Sequence, residues 1–183
     1  MSKQLLTVLW FSMSVAVFLA QQGYAKGHHR TAAPPGQRPT AKHTTVADSA
    51  ADRAAVINII NTVIKASGTF DIDAVANLYT PNAVIADEEP PFSWNGPTAG
   101  VQWVNTVEKT CKDYKLKDFS GIIGRISVYL QTDESIYVVV PVDYTGQIKG
   151  DRFEEEGAFT FVFRMVSGQW MIKSQVWVAR KGL

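Results

Sequence analysis

The sequence runs to 183 residues, of which 46% are apolar and 19% charged; that balance excludes a wholly disordered chain, and the length suits one buried core rather than two. Eighteen Lys and Arg against seventeen Asp and Glu leave a formal net charge of +1, and the lack of a basic run in the foldable part argues against a nucleic-acid partner. Cys111 is the single cysteine, so an internal disulfide is excluded and the residue reads as a small packed side chain in a helix.

The chain opens Met1-Ser2-Lys3, continues with LLTVLWFSMSVAVFLA from Leu5 to Ala20 and reaches Gly23-Tyr24-Ala25. A charged start, an apolar middle and a small-x-small end predict a signal peptide over residues 1–25, cleaved after Ala25, and hence a secreted or periplasmic protein. The alternative is an uncleaved anchor, the one circumstance in which a membrane becomes a partner. Residues 26–47 carry Pro, Gly, Thr and scattered basic residues with almost nothing large and apolar, the composition of a disordered linker. All three histidines, His28, His29 and His43, fall in it. No scaffold holds them in ligand geometry, so no metal site and no cofactor is expected.

The domain is predicted from residue 48 to 183. Val56, Ile59, Ile60, Val63 and Ile64 recur at helical spacing, and Gly68 stands where that first helix is expected to stop. Asp71 is placed to cap a second helix running through Tyr79, with Pro81-Asn82 ending it. A short strand over Ala83–Asp87 follows, then a loop, EEPPFSWNGP, whose prolines and aromatics suggest an ordered segment. A third helix fits Thr98 to Lys112, with Val101, Val104 and Val107 on one side and Trp103 beside them. Strands are predicted over 116–131, 135–146, 153–166 and 169–179, joined at Thr132-Asp133-Glu134, Gly146 to Asp151 and Ser167-Gly168. The alternation of Ile136, Val138, Val140, Val142 and Tyr144, and of Phe159, Phe161 and Phe163, marks a sheet with one covered face.

FDIDAVANLYTPNAVIAD from Phe70 to Asp87, EEPPFSWNG ending at Gly96, and VVVPVDYTG from Val138 to Gly146 resemble the nuclear transport factor 2-like superfamily, with its SnoaL-like cyclases and ketosteroid isomerases. Over residues 50 to 180 the resemblance implies an α+β cone: three N-terminal helices packed on a curved antiparallel sheet around a pocket. It also implies that Asp87 occupies the place of a general base, where burial beside Phe92 and Trp94 raises its pKa. The other catalytic groups of such isomerases have no match, because no tyrosine lies between Tyr24 and Tyr79, and Phe159 stands where a second acid is expected. The acid-histidine pairs of the cyclases and of the related dehydratases are missing too, since no histidine follows His43.

Asp87 is therefore the catalytic candidate, with a turn cap as its plainer role. Tyr79, Phe92, Trp94, Trp103, Tyr144 and Trp177 are the candidate ligand-binding set, a few polar handles on an apolar wall, with core packing as their plainer role. Glu154-Glu155-Glu156 reads as a solvated strand edge; Arg125 and Arg164 are open either to pairing with it or, for one of them, to pointing into the cavity to meet an anionic ligand. Three functions stay open: binding of a small apolar molecule, lyase or isomerase chemistry with Asp87 as base, and a homodimerising interaction module using the outer sheet face.

Overall fold

Ser49 caps the first described helix by accepting the backbone N–H of Asp52 on its hydroxyl at 3.0 Å, which satisfies a donor the helix itself cannot. The computed structural model describes residues 49–180; the predicted signal peptide and linker lie outside the described residues. Helix α1 covers Ala50–Thr69 and buries Val56, Ile60, Val63, Ile64 and Ala66 along one stripe. Gly68 does not stop it; Phe70 does, at φ 58°. A Cβ at Gly68 would lie 3.0 Å from the Phe119 carbonyl oxygen, so this glycine marks where helix and sheet approach each other.

Helix α2 is one turn, Ile72–Val75, capped by Asp71, whose side chain accepts the Ala74 N–H at 3.1 Å. Tyr79 is not in it. Strand β1 runs Tyr79–Ala86 and contains Pro81-Asn82, which were expected to precede a strand. Pro81 is exposed, in a stretch where pairing with the last strand is irregular and the missing N–H breaks no ladder. Strand β2, Ser93–Asn95, folds back on β1, and helix α3, Ala99–Tyr114, carries Trp103 and Val104 inward.

The expected strand over 116–131 is two: β3, Leu116–Ile123, and β4, Val128–Gln131, both antiparallel to β5, Ser135–Ile148. Pro141 lies on β5 opposite the break and has no N–H to offer an edge partner; the chain passes it with Gly124 N–H on the Pro141 carbonyl and Ser127 N–H on that of Val139. Strands β6, Asp151–Val166, and β7, Gln169–Ala179, complete the sheet. Two tight hairpins join them, at Lys149-Gly150 and Ser167-Gly168, each with two positive φ angles, the turn whose twist matches its strands. The strand order is β2-β1-β7-β6-β5-β3, with β4 also on β5. Every pairing is antiparallel except β1 with β7, so the sheet is mixed.

The inner face of β5, β6 and β7 packs on the helices. Ile136, Val138, Val140 and Val142 lie beside Phe159, Phe161 and Phe163, and all seven are buried. Each such side chain stabilises the fold by about 1.5–3 kcal/mol relative to exposure. At the start of α1 the Asp52 carboxylate accepts Trp170 Nε1–H at 2.9 Å and Gln131 Nε2–H at 2.8 Å, tying the helix to β7 and β4.

Candidate functional site

Asp87 follows the last residue of β1, and its backbone N–H bonds the Phe92 carbonyl while Phe92 N–H bonds that of Glu89. This closes residues 87–92 into a compact loop. The Asp87 carboxylate accepts Trp103 Nε1–H from α3 at 2.7 Å and the Glu89 backbone N–H at 3.4 Å. Burial raises its pKa, and hydrogen bonds from Trp103 and from the Glu89 and Glu88 backbone pull it back only in part. The turn cap and the buried carboxylate, read from sequence as rivals, are both present.

Tyr144 reaches the same region from β5. Its hydroxyl is 3.1 Å from Ser67 Oγ on α1, and burial lifts its pKa well above the ordinary phenol range. Ser67 gives no signal in sequence: it is fully buried on α1, one turn beyond Val63, around which the resemblance calls for a tyrosine. Glu155 was misread. Glu154 and Glu156 do face solvent, in ion pairs with Arg152 and Arg180, but Glu155 is opposite Tyr144 in the register and half-buried. Burial and a hydrogen bond to Glu88 push its pKa up to about 8, helped by the charges of Glu88, Asp87 and Glu89. Arg164 pairs with Glu134 at 4.0 Å instead, and Arg125 lies exposed in the gap between β3 and β4.

Beneath these carboxyls the aromatic side chains touch one another. Trp103 meets Phe159 edge-on at 5.8 Å, Phe159 packs on Trp177 at 4.7 Å, Trp177 meets Tyr144 at 5.5 Å and Tyr144 stacks on Phe119 at 4.8 Å. Two glycines seat them: a Cβ at Gly157 would lie 2.5 Å from the Trp177 ring, and one at Gly100 would lie 2.0 Å from Tyr79. Tyr79 is buried and donates its hydroxyl proton to Gln175 Oε1 at 2.6 Å. Trp94 is buried on β2.

Of the six aromatics expected to line a pocket, five are buried in this interior and one is not. Phe92 is 60% exposed, because its backbone at φ 69° serves the 87–92 turn and turns the ring outward. A depression of about 430 Å3 at the β5–β6 hairpin, lined by Asp118, Thr145, Gly146, Gln147, Gly150 and Arg152, shares no residue with this set. Cys111, buried on α3, has its thiol pKa pushed up to about 11 by burial and by Glu108 and Glu89, which makes it a poor nucleophile. Among the described residues, no three His, Cys, Asp or Glu converge closely enough to hold a metal ion.

No protein-family model and no curated protein sequence matches the chain. Solved structures do. Hexachlorocyclohexane dehydrochlorinase LinA type 3 from Novosphingobium barchaimii superposes with a TM-score of 0.62 at 14% identity, over 71% of this chain and 87% of that one. An NTF2-like protein with a cystatin-like fold from Novosphingobium aromaticivorans gives 0.62 at 13% identity, over 73% and 84%. A scytalone dehydratase-like protein from the same species gives 0.56 at 14%, over 70% and 84%.

The chain has the NTF2-like fold. At these identities the likeness fixes the architecture and leaves the chemistry to the residues. Within that fold Asp87, Trp103, Tyr144, Ser67 and Glu155 come from a strand end, a helix, a strand, a helix and a strand respectively. That convergence of polar groups over an aromatic floor makes them the candidate site.

Proposed function

We propose that this protein binds a small, mainly apolar molecule in the interior of its NTF2-like fold and that Asp87 acts there as a general base. The observation that carries the reading is the Asp87 carboxylate itself: partly desolvated, raised in pKa, and held by the Trp103 indole at 2.7 Å. A carboxylate whose pKa is raised by burial and whose oxygen is fixed in place suits abstraction of a proton from carbon. Tyr144, whose hydroxyl pairs with Ser67, is the proton donor within electrostatic reach of Asp87. Two of the structural neighbours, a dehydrochlorinase and a scytalone dehydratase-like protein, bear names that denote eliminations, and an elimination needs such a base.

The same reading takes the chain to be exported, on the N-terminal pattern of residues 1–25, and to form a homodimer through the outer face of the sheet. Val128 and Leu130 on β4 pair with Val139 and Tyr137 on β5, and Val128, Leu130 and Tyr137 are exposed on that face.

Native mass spectrometry of the protein purified from the cells that make it identifies the bound molecule, and turnover of that molecule is then compared between the wild type and Asp87→Asn. The amide keeps the shape and loses the base, so turnover falls by about 100-fold or more while binding persists. Unchanged turnover would remove Asp87 from the chemistry, and binding without turnover in the wild type would leave a carrier.

A further inference from the structure

Gln175 carries the sole side-chain nitrogen or oxygen among the described residues that is buried with no hydrogen-bond partner. The residue is wholly buried. Its Oε1 accepts the Tyr79 hydroxyl at 2.6 Å, and Nε2 has no hydrogen-bond acceptor. Turning the amide over would exchange one orphan for another and strand the Tyr79 proton as well, since a tyrosine hydroxyl has one hydrogen to give.

The backbone brings this amide inside deliberately. Trp170 and Ile172 face inward, so simple alternation would put Ser174 and Val176 inward next. Instead the pairing with β6 slips by one residue, Ile172 opposite Phe163 and Ser174 opposite Val162, and Lys173 is the extra residue. Its Nζ donates to the Asn82 carbonyl at 2.6 Å. Gln175 and Trp177 turn inward as a result. On the sheet Gln175 lies opposite Ile85 of β1, both are buried, and Ile85 is two residues from Asp87 on the same side of its strand, so the orphan donor shares its interior with the candidate base.

The surroundings restrict what that donor can meet. The buried polar side chains among the described residues are Ser67, Thr80, Gln131 and Gln175, none of them a cation. Asp87, Glu88, Glu89 and Glu155 act on one another through their charges nearby. An anionic ligand would be repelled, whereas an uncharged acceptor oxygen would not.

Resting on the base assignment to Asp87, we propose that the Gln175 side-chain amide anchors a neutral hydrogen-bond acceptor, a carbonyl oxygen on a compact apolar ligand, through Nε2–H. This gives the ligand an orientation that the aromatic walls alone do not supply, since stacked rings hold area and not direction.

The test uses the full chain labelled with 15N, titrated with cyclohexanone and, separately, with methylenecyclohexane, which has similar shape and no acceptor oxygen. The Gln175 side-chain NH2 resonances, identified by their loss in Gln175→Met, are expected to move with the ketone and to stay with the hydrocarbon. Gln175→Met is expected to weaken the ketone by about tenfold and leave the hydrocarbon unchanged. Resonances that do not move with the ketone, or that report only a trapped water, overturn the anchor; the wild-type titration decides this even if the variant fails to fold. Equal ketone affinity in Gln175→Met overturns it too. Exchange of the ketone α-hydrogens with D2O, followed in the same samples, separates the two readings. Loss of exchange in Asp87→Asn with the amide shift retained supports both, and exchange that survives Asp87→Asn sinks the base while leaving the anchor standing.

Discussion

Asp87 is held between opposing influences, and the balance can be moved one residue at a time. Burial favours its neutral form; the Trp103 indole and the Glu89 N–H favour the carboxylate. Trp103→Phe keeps a large ring against Phe159 and deletes the donor to Oδ2. The Asp87 pKa is therefore expected to rise further above its ordinary range, read from a 13C carboxyl titration by NMR, and any pH-rate profile that depends on the carboxylate shifts upward with it. A fall or no change would mean that the indole does not set the charge state. The side-chain donors and acceptors around Asp87 and Tyr79 were only partly legible in sequence. Asp87 stood out because an acid ending a strand before an aromatic loop is a recognisable pattern. Ser67 did not, because a serine in the last turn of a helix carries no signal until the Tyr144 hydroxyl is found 3.1 Å away.

At the scale of elements, hydrophobic period was a sound guide where strands pair regularly and failed where one residue is added or one donor is missing. The alternation of β5 and the phenylalanines of β6 was readable because these two strands pair without a slip, from Ser135 opposite Arg164 to Ile148 opposite Asp151. The gap between β3 and β4 depends on Pro141, a residue on the neighbouring strand, and the inward turn of Gln175 depends on the extra residue at Lys173. The first is set from outside its own segment, and the second shows only in the pairing of β7 with β6. The length of α2 was overestimated for a similar reason: Tyr79 looks like the last inward residue of a helix, but pairing with Ile172 recruits it to β1. Contact between β6 and β7 also rests on a glycine. An added methyl at Gly157 would lie 2.5 Å from the Trp177 ring and 2.6 Å from the Val178 carbonyl. Backbone cannot yield as a flexible side chain does, so Gly157→Ala is expected to destabilise the domain by about 1–3 kcal/mol in urea unfolding. A loss within experimental error would mean that Trp177 is free to relocate.

For the molecule as a whole, the outer sheet face and the carboxyl cluster each predict a bulk property. Leu130, 58% exposed on β4, is the residue to change for the first: Leu130→Glu is expected to shift a concentration-dependent dimer to monomer in sedimentation velocity, and a wild type that stays monomeric at every concentration would dismiss that interface. The second concerns pH. Glu155 has an ordinary pKa of 4.5 and a folded value of about 8, so the folded state retains a proton that the unfolded chain releases. That contribution to stability is complete below the unfolded value and is lost as pH rises through the folded one. Asp87 and Glu89 are raised by burial and act in the same direction, while Asp52, lowered by Trp170 and Gln131, acts oppositely and only in acid. Stability should therefore decline as pH climbs from about 5 to about 8.5, contrary to a domain held by salt-bridged carboxylates. Glu155→Gln supplies a permanently neutral side chain that can still donate to Glu88, so its urea midpoint should fall less over that interval than that of the wild type. If both proteins lose stability equally, the proton is held elsewhere, with Asp87 the next group to replace; if the wild type gains stability instead, Glu155 does not share a proton with Glu88 and the loop at 87–92 is held by its backbone bonds and by Trp103.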